Sequence, residues 1–166
     1  MHHCFENGSV VADLHSTDKF EALRELIRRA PVFRAIDSKA KFEEAVISRE
    51  QQQTTGFGHG VAVAHGRVNG IPRVLIGLGV SQAGILYDAP DGAPVHLLFV
   101  MASPLNLSLD YLQALSTLVR CIRDKDQRDS LIDASSAAEI EERLRIAFEA
   151  RLDAPLSARK PRGIYG

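Results

Sequence analysis

Thr54-Thr55-Gly56-Phe57-Gly58-His59-Gly60-Val61-Ala62-Val63-Ala64-His65-Gly66-Arg67 sets three glycines in a turn, runs into a short apolar strand and leaves one histidine at the exit of that strand. Gly56, Gly58 and Gly60 permit backbone conformations that a Cβ disfavours, so they mark a sharp turn or a close approach to the main chain. Val61 to Ala64 is small and apolar, which suits a strand covered on both faces. His65 is then fixed at its root by the sheet while its ring reaches toward the surface. Neutral imidazole, with an unperturbed pKa of about 6.5, is a nucleophile near neutral pH and takes an electrophile such as a phosphoryl group without a separate base. Gly66 leaves room beside the ring and Arg67 adds positive charge, both suited to an anion. From spacing alone His65 reads either as such an acceptor or as a loop histidine with no chemistry.

Working outward, the residues before the turn carry a helix pattern. Ser38 opens it, and Phe42, Ala45 and Val46 form its inward stripe. Arg49 falls seven residues after Phe42, on or beside that stripe. A guanidinium there either meets an anion or snorkels from the last turn, where the helix dipole favours a cation. Arg49 and His65 are thereby expected to meet around one small site. N-terminal to this helix, Val10 to Leu14 reads as an edge strand. Ser16 or Thr17 caps a helix from Asp18 to Ala30 with Phe20, Leu23, Leu26, Ile27 and Ala30 on one face, and Pro31 ends it.

On the C-terminal side, Pro72 to Gly79 and Val95 to Ala102 are near-continuous apolar strands of the kind buried between two helical layers, with a turn-rich link from Asp88 to Pro94. His96 inside the second strand fits a hydrogen-bonded core histidine; His59 among the glycines fits a solvated loop position, although it could also face His65. Leu112, Leu115, Val119 and Ile122 give one helical face, Asp126 caps a short helix, and Ser136 to Glu139 has capping-box spacing before Ile140, Leu144, Ala147 and Phe148. Residues 1–9 read as a flexible N-terminus, 10–152 as a single domain and 153–166 as a loose tail.

Composition bounds the function. The chain has 166 residues, 45% apolar and 25% charged, ordinary for one soluble globular domain. Twenty basic against 21 acidic residues leave a net charge of −1, which favours neither nucleic acid nor an anionic membrane. No apolar run approaches the ~20 residues that span a bilayer, and the N-terminus does not read as a secretory signal. Cys4 and Cys121 are far apart and lack ligand spacing, which reads as free thiols in a reducing, cytoplasmic compartment; a metal at His2, His3 and Cys4 is weaker than a disordered end.

The order of these fragments resembles the enzyme IIA components of the bacterial phosphotransferase system, in the fructose, mannitol and nitrogen-regulatory branch. Arg49-Glu50, the Thr54–Arg67 stretch, Gly79-Val80-Ser81-Gln82-Ala83-Gly84-Ile85, Asp91 to Phe99, Ala102-Ser103-Pro104 and Tyr111 to Leu115 carry the resemblance, which covers Val10 to Leu152. It implies an α/β fold of α+β type, a three-layer α/β/α sandwich around a central mixed β-sheet. It implies a phosphohistidine phosphotransferase in which His65 accepts a phosphoryl group from a phospho-HPr-like carrier, with no metal or organic cofactor. Arg49 would offset charge on the phosphoryl oxygens, Thr55 and the amides of the glycine turn would donate hydrogen bonds, and an exposed apolar rim would dock the partner. Two positions depart from the family pattern. Ala64 stands where a proline is usual, and Tyr111 stands where many relatives carry a second histidine. Tyrosine still donates a hydrogen bond but does not become a cation near neutral pH. Three functions follow: a nitrogen-regulatory phosphocarrier acting on partner proteins, a sugar-specific transport component passing phosphate to a IIB subunit, or an interaction module that has lost phosphorylation. Neither nucleic acid binding nor membrane insertion is expected, and the sequence leaves the oligomeric state open.

Overall fold

The computed structural model describes Phe5, residues 7–106 and residues 108–152; His2, His3, Cys4 and the expected tail from Asp153 lie outside them. The elements run β1 (Val10–Val11), α1 (Lys19–Arg29), a 3₁₀ turn (Pro31–Ala35), α2 (Lys39–Gln52), β2 (Gly56–Gly58), β3 (Val61–Arg67), β4 (Leu75–Ile85), β5 (Val95–Ser103), α3 (Ser108–Ile122), α4 (Lys125–Asp133) and α5 (Ala137–Leu152). The sheet order is β1-β4-β5-β3-β2. β1 and β4 are parallel, β4 and β5 antiparallel, β5 and β3 parallel, and β3 and β2 antiparallel, so the sheet is mixed as expected.

Strand alternation assigns each residue of β3 to a layer. Ala62 and Ala64 pack with Leu23, Leu26, Phe42 and Val46 under α1 and α2. Val61 and Val63 pack with Leu118, Leu131, Leu144 and Phe148 under α3 to α5. Each large apolar side chain removed from water here contributes about 1.5–3 kcal/mol, so both faces of the sheet are stabilised by burial. His65 follows Val61 and Val63 in this alternation and projects toward the α3 layer. β2 pairs only as far as Gly56 opposite Ala62, with one further bond from the Val63 amide to the Thr55 carbonyl, whereas β3 continues along β5 to Arg67 opposite Ser103. His65 therefore stands where β3 has outrun its outer neighbour.

Several local expectations change. α1 is capped by Asp18, whose Oδ2 accepts from the Glu21 amide at 3.1 Å, and not by Ser16 or Thr17; the Ser16 hydroxyl donates instead to Glu25 at 2.7 Å. α4 is capped by Asp124, with Asp126 in its first turn. Ser136 caps α5 by accepting from the Glu139 amide, but the Glu139 carboxylate reaches back to the amide and hydroxyl of Ser135, one residue before the expected partner. β4 runs on to Ile85 past the polar Ser81-Gln82, through an irregularity where Gly84 has φ +92°. α3 buries Ala114, Thr117, Leu118, Cys121 and Ile122, while Leu112, expected inward, is 56% exposed. The helix is apolar on more than one face, so spacing alone did not select which face packs. Phe5, inside the stretch expected to be mobile, is buried with its ring edge-on to Phe148 at 5.0 Å.

Candidate functional site

Three elements bring side chains to the exit of β3. α2 lies against the strand through Gly66, where a Cβ would meet Val46 Cγ2 at 2.9 Å and Phe42 Cε2 at 3.3 Å. Gly66 thus lets the helix approach the strand, a different service from the room beside the imidazole expected of it. One turn past Val46, Arg49 is half-buried and its Nη1 donates to the Gln53 carbonyl at 3.0 Å. From the opposite layer, Tyr111 of α3 sets its ring 5.4 Å from the His65 ring, tilted by 46°.

The His65 ring is partly open to solvent. Burial is the first cause that holds its pKa below the ordinary imidazole value; the Arg49 and Arg67 charges add to it and the Glu50 charge opposes them. The Tyr111 hydroxyl is pushed up by burial and pulled back by Arg49 and Arg67, so it remains protonated at neutral pH and keeps its hydrogen to donate. The site is an imidazole held toward its neutral form, with the charges of two arginines acting on it and a phenol ring beside it. It can take a tetrahedral anion without needing a base to deprotonate the acceptor. Among the described residues no group of three or more His, Cys, Asp and Glu could hold a metal ion, and no helix is long and apolar enough to cross a membrane.

The glycine turn lies elsewhere. Gly58, His59 and Gly60 have φ of +92°, +55° and +78° and make the β2–β3 turn, held by Asp91, whose Oδ2 accepts from the His59 amide at 2.9 Å. At a rise of about 3.3 Å per residue, Gly60 sits about 16 Å from His65 along β3. The turn amides cannot reach a group on His65, and exposed His59 does not face it. These glycines serve the left-handed hairpin turn. His96 is hydrogen-bonded as expected, its Nδ1 2.7 Å from the Ser81 carbonyl, but it is half-buried and not in the core.

Thr55, beside Val63, is within reach of the site by pairing, but its hydroxyl donates to Glu50 Oε2 and lies 3.0 Å from the Tyr87 hydroxyl. Its hydrogen is committed to Glu50 and not offered to a ligand. Glu50 is 2% exposed, also accepts from the Thr55 amide at 2.9 Å, and pairs with buried Lys19 at 3.3 Å. Lys19, Glu50 and Tyr87 carry no role in the sequence reading. Glu50 was within reach of it, since 42, 46 and 50 continue the inward stripe of α2 at four-residue spacing. Lys19 and Tyr87 have no such signal, because long-range folding brings them to Glu50.

Known proteins resemble this arrangement. A sequence model of the family described as phosphoenolpyruvate-dependent sugar phosphotransferase system, EIIA 2, matches residues 3–146. A nitrogen regulatory protein of Pseudomonas aeruginosa is 34% identical over 110 residues, 66% of this chain and 69% of that protein. The fructose-specific EIIABC component of the phosphotransferase system of Bacillus subtilis is 27% identical over 128 residues, 77% of this chain but only 20% of that protein. The crystal structure of nitrogen regulatory protein IIA-Ntr from Neisseria meningitidis matches the fold with a TM-score of 0.78 at 30% identity, covering 86% of this chain and 97% of the other. With a family match across most of its length and the same fold in a relative of equal extent, the chain belongs to the EIIA 2 family of the phosphoenolpyruvate-dependent sugar phosphotransferase system.

Proposed function

We propose that this chain is a phosphocarrier of nitrogen-regulatory type, which accepts a phosphoryl group on His65 from a phospho-HPr-like donor and acts on partner proteins according to its phosphorylation state. The supporting observation is the His65 ring itself, partly solvent-open and neutral, with the Arg49 and Arg67 charges acting on it and Tyr111 beside it. In the transfer, a ring nitrogen of His65 forms the new P–N bond as the P–N bond of the donor phosphohistidine breaks, and the donor imidazole leaves with the electron pair. Arg49 and Arg67 offset charge on the three phosphoryl oxygens, and the Tyr111 hydroxyl donates to one of them. Thr55, bonded to Glu50, fastens the link whose Gln53 carbonyl accepts from Arg49. The partner docks on the apolar rim formed by Leu105, which shares a cleft with Arg67, and by Leu109 and Leu112 of the helix that carries Tyr111, the three being 51%, 80% and 56% exposed. The fructose-specific relative supports a second reading, a transport component that hands the phosphoryl group to a IIB subunit.

Incubation with HPr that carries an isotopically labelled phosphoryl group tests the reading. Wild type gains acid-labile label, His65→Ala gains none, and Arg49→Met is labelled roughly 100-fold more slowly, as loss of an electrostatic contact in the transition state predicts. Transfer of the label onward to a fructose-type IIB protein would favour the transport reading. A wild-type chain that takes no label would leave a non-phosphorylated interaction module and refute the carrier.

A further inference from the structure

Behind the acceptor site, four polar side chains from four separate segments converge where the core would otherwise be apolar. Lys19 of α1 is 8% exposed and its Nζ lies 3.3 Å from Glu50 Oε1. Glu50 also accepts from the amide and hydroxyl of Thr55, and the Thr55 hydroxyl lies 3.0 Å from the hydroxyl of Tyr87. The Lys19 ammonium stands 5.2 Å from the Tyr87 ring centroid and 5.4 Å from that of Phe20, and 3.6 Å from the carboxylate of exposed Asp88. A buried carboxylate that lost its cation would be strongly unfavourable and would recruit another positive charge. The nearest in sequence is Arg49, the adjacent residue on α2.

The same carboxylate ties down the path of the chain. By gripping Thr55 from five residues away, Glu50 folds the 53–55 link back onto the last turn of α2, and Arg49 binds the carbonyl of Gln53 in that link. The Thr55 carbonyl in turn accepts from the Val63 amide, two residues before His65 on β3. A continuous chain of bonds therefore runs from Lys19 through Glu50 and Thr55 to the strand that carries the acceptor.

We propose that Lys19 and Glu50 are positioning residues of the His65 site: a buried ion pair that fastens the 53–55 link to α2 and, by satisfying the Glu50 carboxylate from the α1 side, leaves the Arg49 charge to act on His65. The inference deepens the phosphocarrier reading and rests on it for its consequence, but its geometry is independent of whether phosphate is transferred. The charged and titratable groups acting on His65 are Arg49 and Glu50 from α2 and Arg67 from β3, with the neutral phenol of Tyr111 facing it from α3.

The two members of the pair have opposite signs, so their removal acts oppositely on the imidazole. The full chain is compared with Lys19→Met, Lys19→Arg and Glu50→Gln by NMR titration of the His65 ring, by thermal melting and by uptake of phosphate from phosphorylated HPr. Lys19→Met leaves Glu50 uncompensated and draws Arg49 away, so the His65 midpoint rises. Glu50→Gln removes the opposing negative charge, so the midpoint falls. Lys19→Arg restores the wild-type midpoint, and uptake slows roughly tenfold in the first and third variants only, the scale of a small misplacement of a catalytic group. A pair that merely stabilised the fold would lower both melting temperatures and leave the Lys19→Met midpoint at the wild-type value, since the charges acting on His65 are those of Arg49, Glu50 and Arg67. Midpoints that stay fixed, or move in the same direction, overturn the proposal. Should Lys19→Met fail to fold, the near-isosteric Glu50→Gln decides through uptake, because loss of its own charge lowers the midpoint in any case: uptake about tenfold slower supports the pair, wild-type uptake refutes it. If wild type takes up no phosphate, the carrier reading fails while the titration still decides this one.

Discussion

Burial and two arginines all act to keep the His65 ring uncharged, and that state is the nucleophilic one. The same shift has a sign in stability. A folded pKa below the unfolded value of about 6.5 means that the unfolded chain binds the proton first as pH falls. His65 therefore costs stability progressively below about pH 6.5, and nothing above it. Comparing wild type with His65→Gln in urea across pH 5 to 8, the stability difference between them is constant at the alkaline end and shifts in favour of the variant at the acidic end; a shift in favour of wild type would contradict the assigned direction. Beside the ring stands Tyr111, which in the proposed function holds a phosphoryl oxygen. If its hydroxyl donates to that oxygen, Tyr111→Phe loses one charge-assisted hydrogen bond, about 1.5–3 kcal/mol, and transfer slows at least about tenfold. Tyr111→His keeps a donor and adds a group that titrates near neutrality, so its transfer rate acquires a second titration beside that of His65 itself. Wild-type rates in Tyr111→Phe would show that the phenol only packs.

At the scale of elements, the distance between α2 and β3 sets the distance between Arg49 and His65, and Gly66 sets the distance between α2 and β3. A Cβ there meets Val46 Cγ2 at 2.9 Å and the Val46 amide nitrogen at 3.2 Å, so either the helix lifts or the strand shifts. Gly66→Ala is expected to cost about 1–3 kcal/mol in urea unfolding through overpacking. It also slows phosphate uptake more than a stability loss of that size explains, because the fully folded variant still holds Arg49 too far out. An uptake rate equal to wild type under folding conditions would separate helix approach from function. These elements differ in how far they were legible. α2 announced itself through Ser38 and a clear stripe, and β3 and β5 through near-continuous apolar runs. α3 did not reveal its packed side, because Leu109, Leu112, Leu115 and Leu118 supply apolar residues all round. The glycine turn was legible as a turn; its distance from His65 was not, since that depends on β3 running straight between them.

Across the whole molecule the site draws on both faces of the sheet, Arg49 from the α2 side and Tyr111 from the α3 side, and what the sequence concealed is the set of contacts between segments far apart in the chain. Lys19 meeting Glu50 is one such contact; Phe5 meeting Phe148 is another. Polarity made residues 1–9 look like a free end, but a single aromatic among them finds a seat. Phe5 is 6% exposed, edge-on to Phe148, and the nearby Gly8 amide donates to Glu141 of α5 at 3.2 Å. This contact fastens the chain just before β1 to the last helix, and so closes the α5 layer over the β1 edge of the sheet. Truncating the ring in Phe5→Ala is expected to cost about 3 kcal/mol, which for a domain of this size lowers the melting temperature by about 6–12 °C. His65 is remote from it: the register Val10–Leu78–Phe99–Val63 places β1 three strands from β3, about 14 Å at the usual strand spacing. Well below the melting point, Phe5→Ala should therefore take up phosphate at the wild-type rate and titrate His65 as wild type does. A variant that melts with wild type would mean that the N-terminal segment leaves this seat in solution; one that melts lower and also loses uptake at low temperature would mean that the two layers are coupled through the sheet, and that the acceptor site depends on the closure of the far edge.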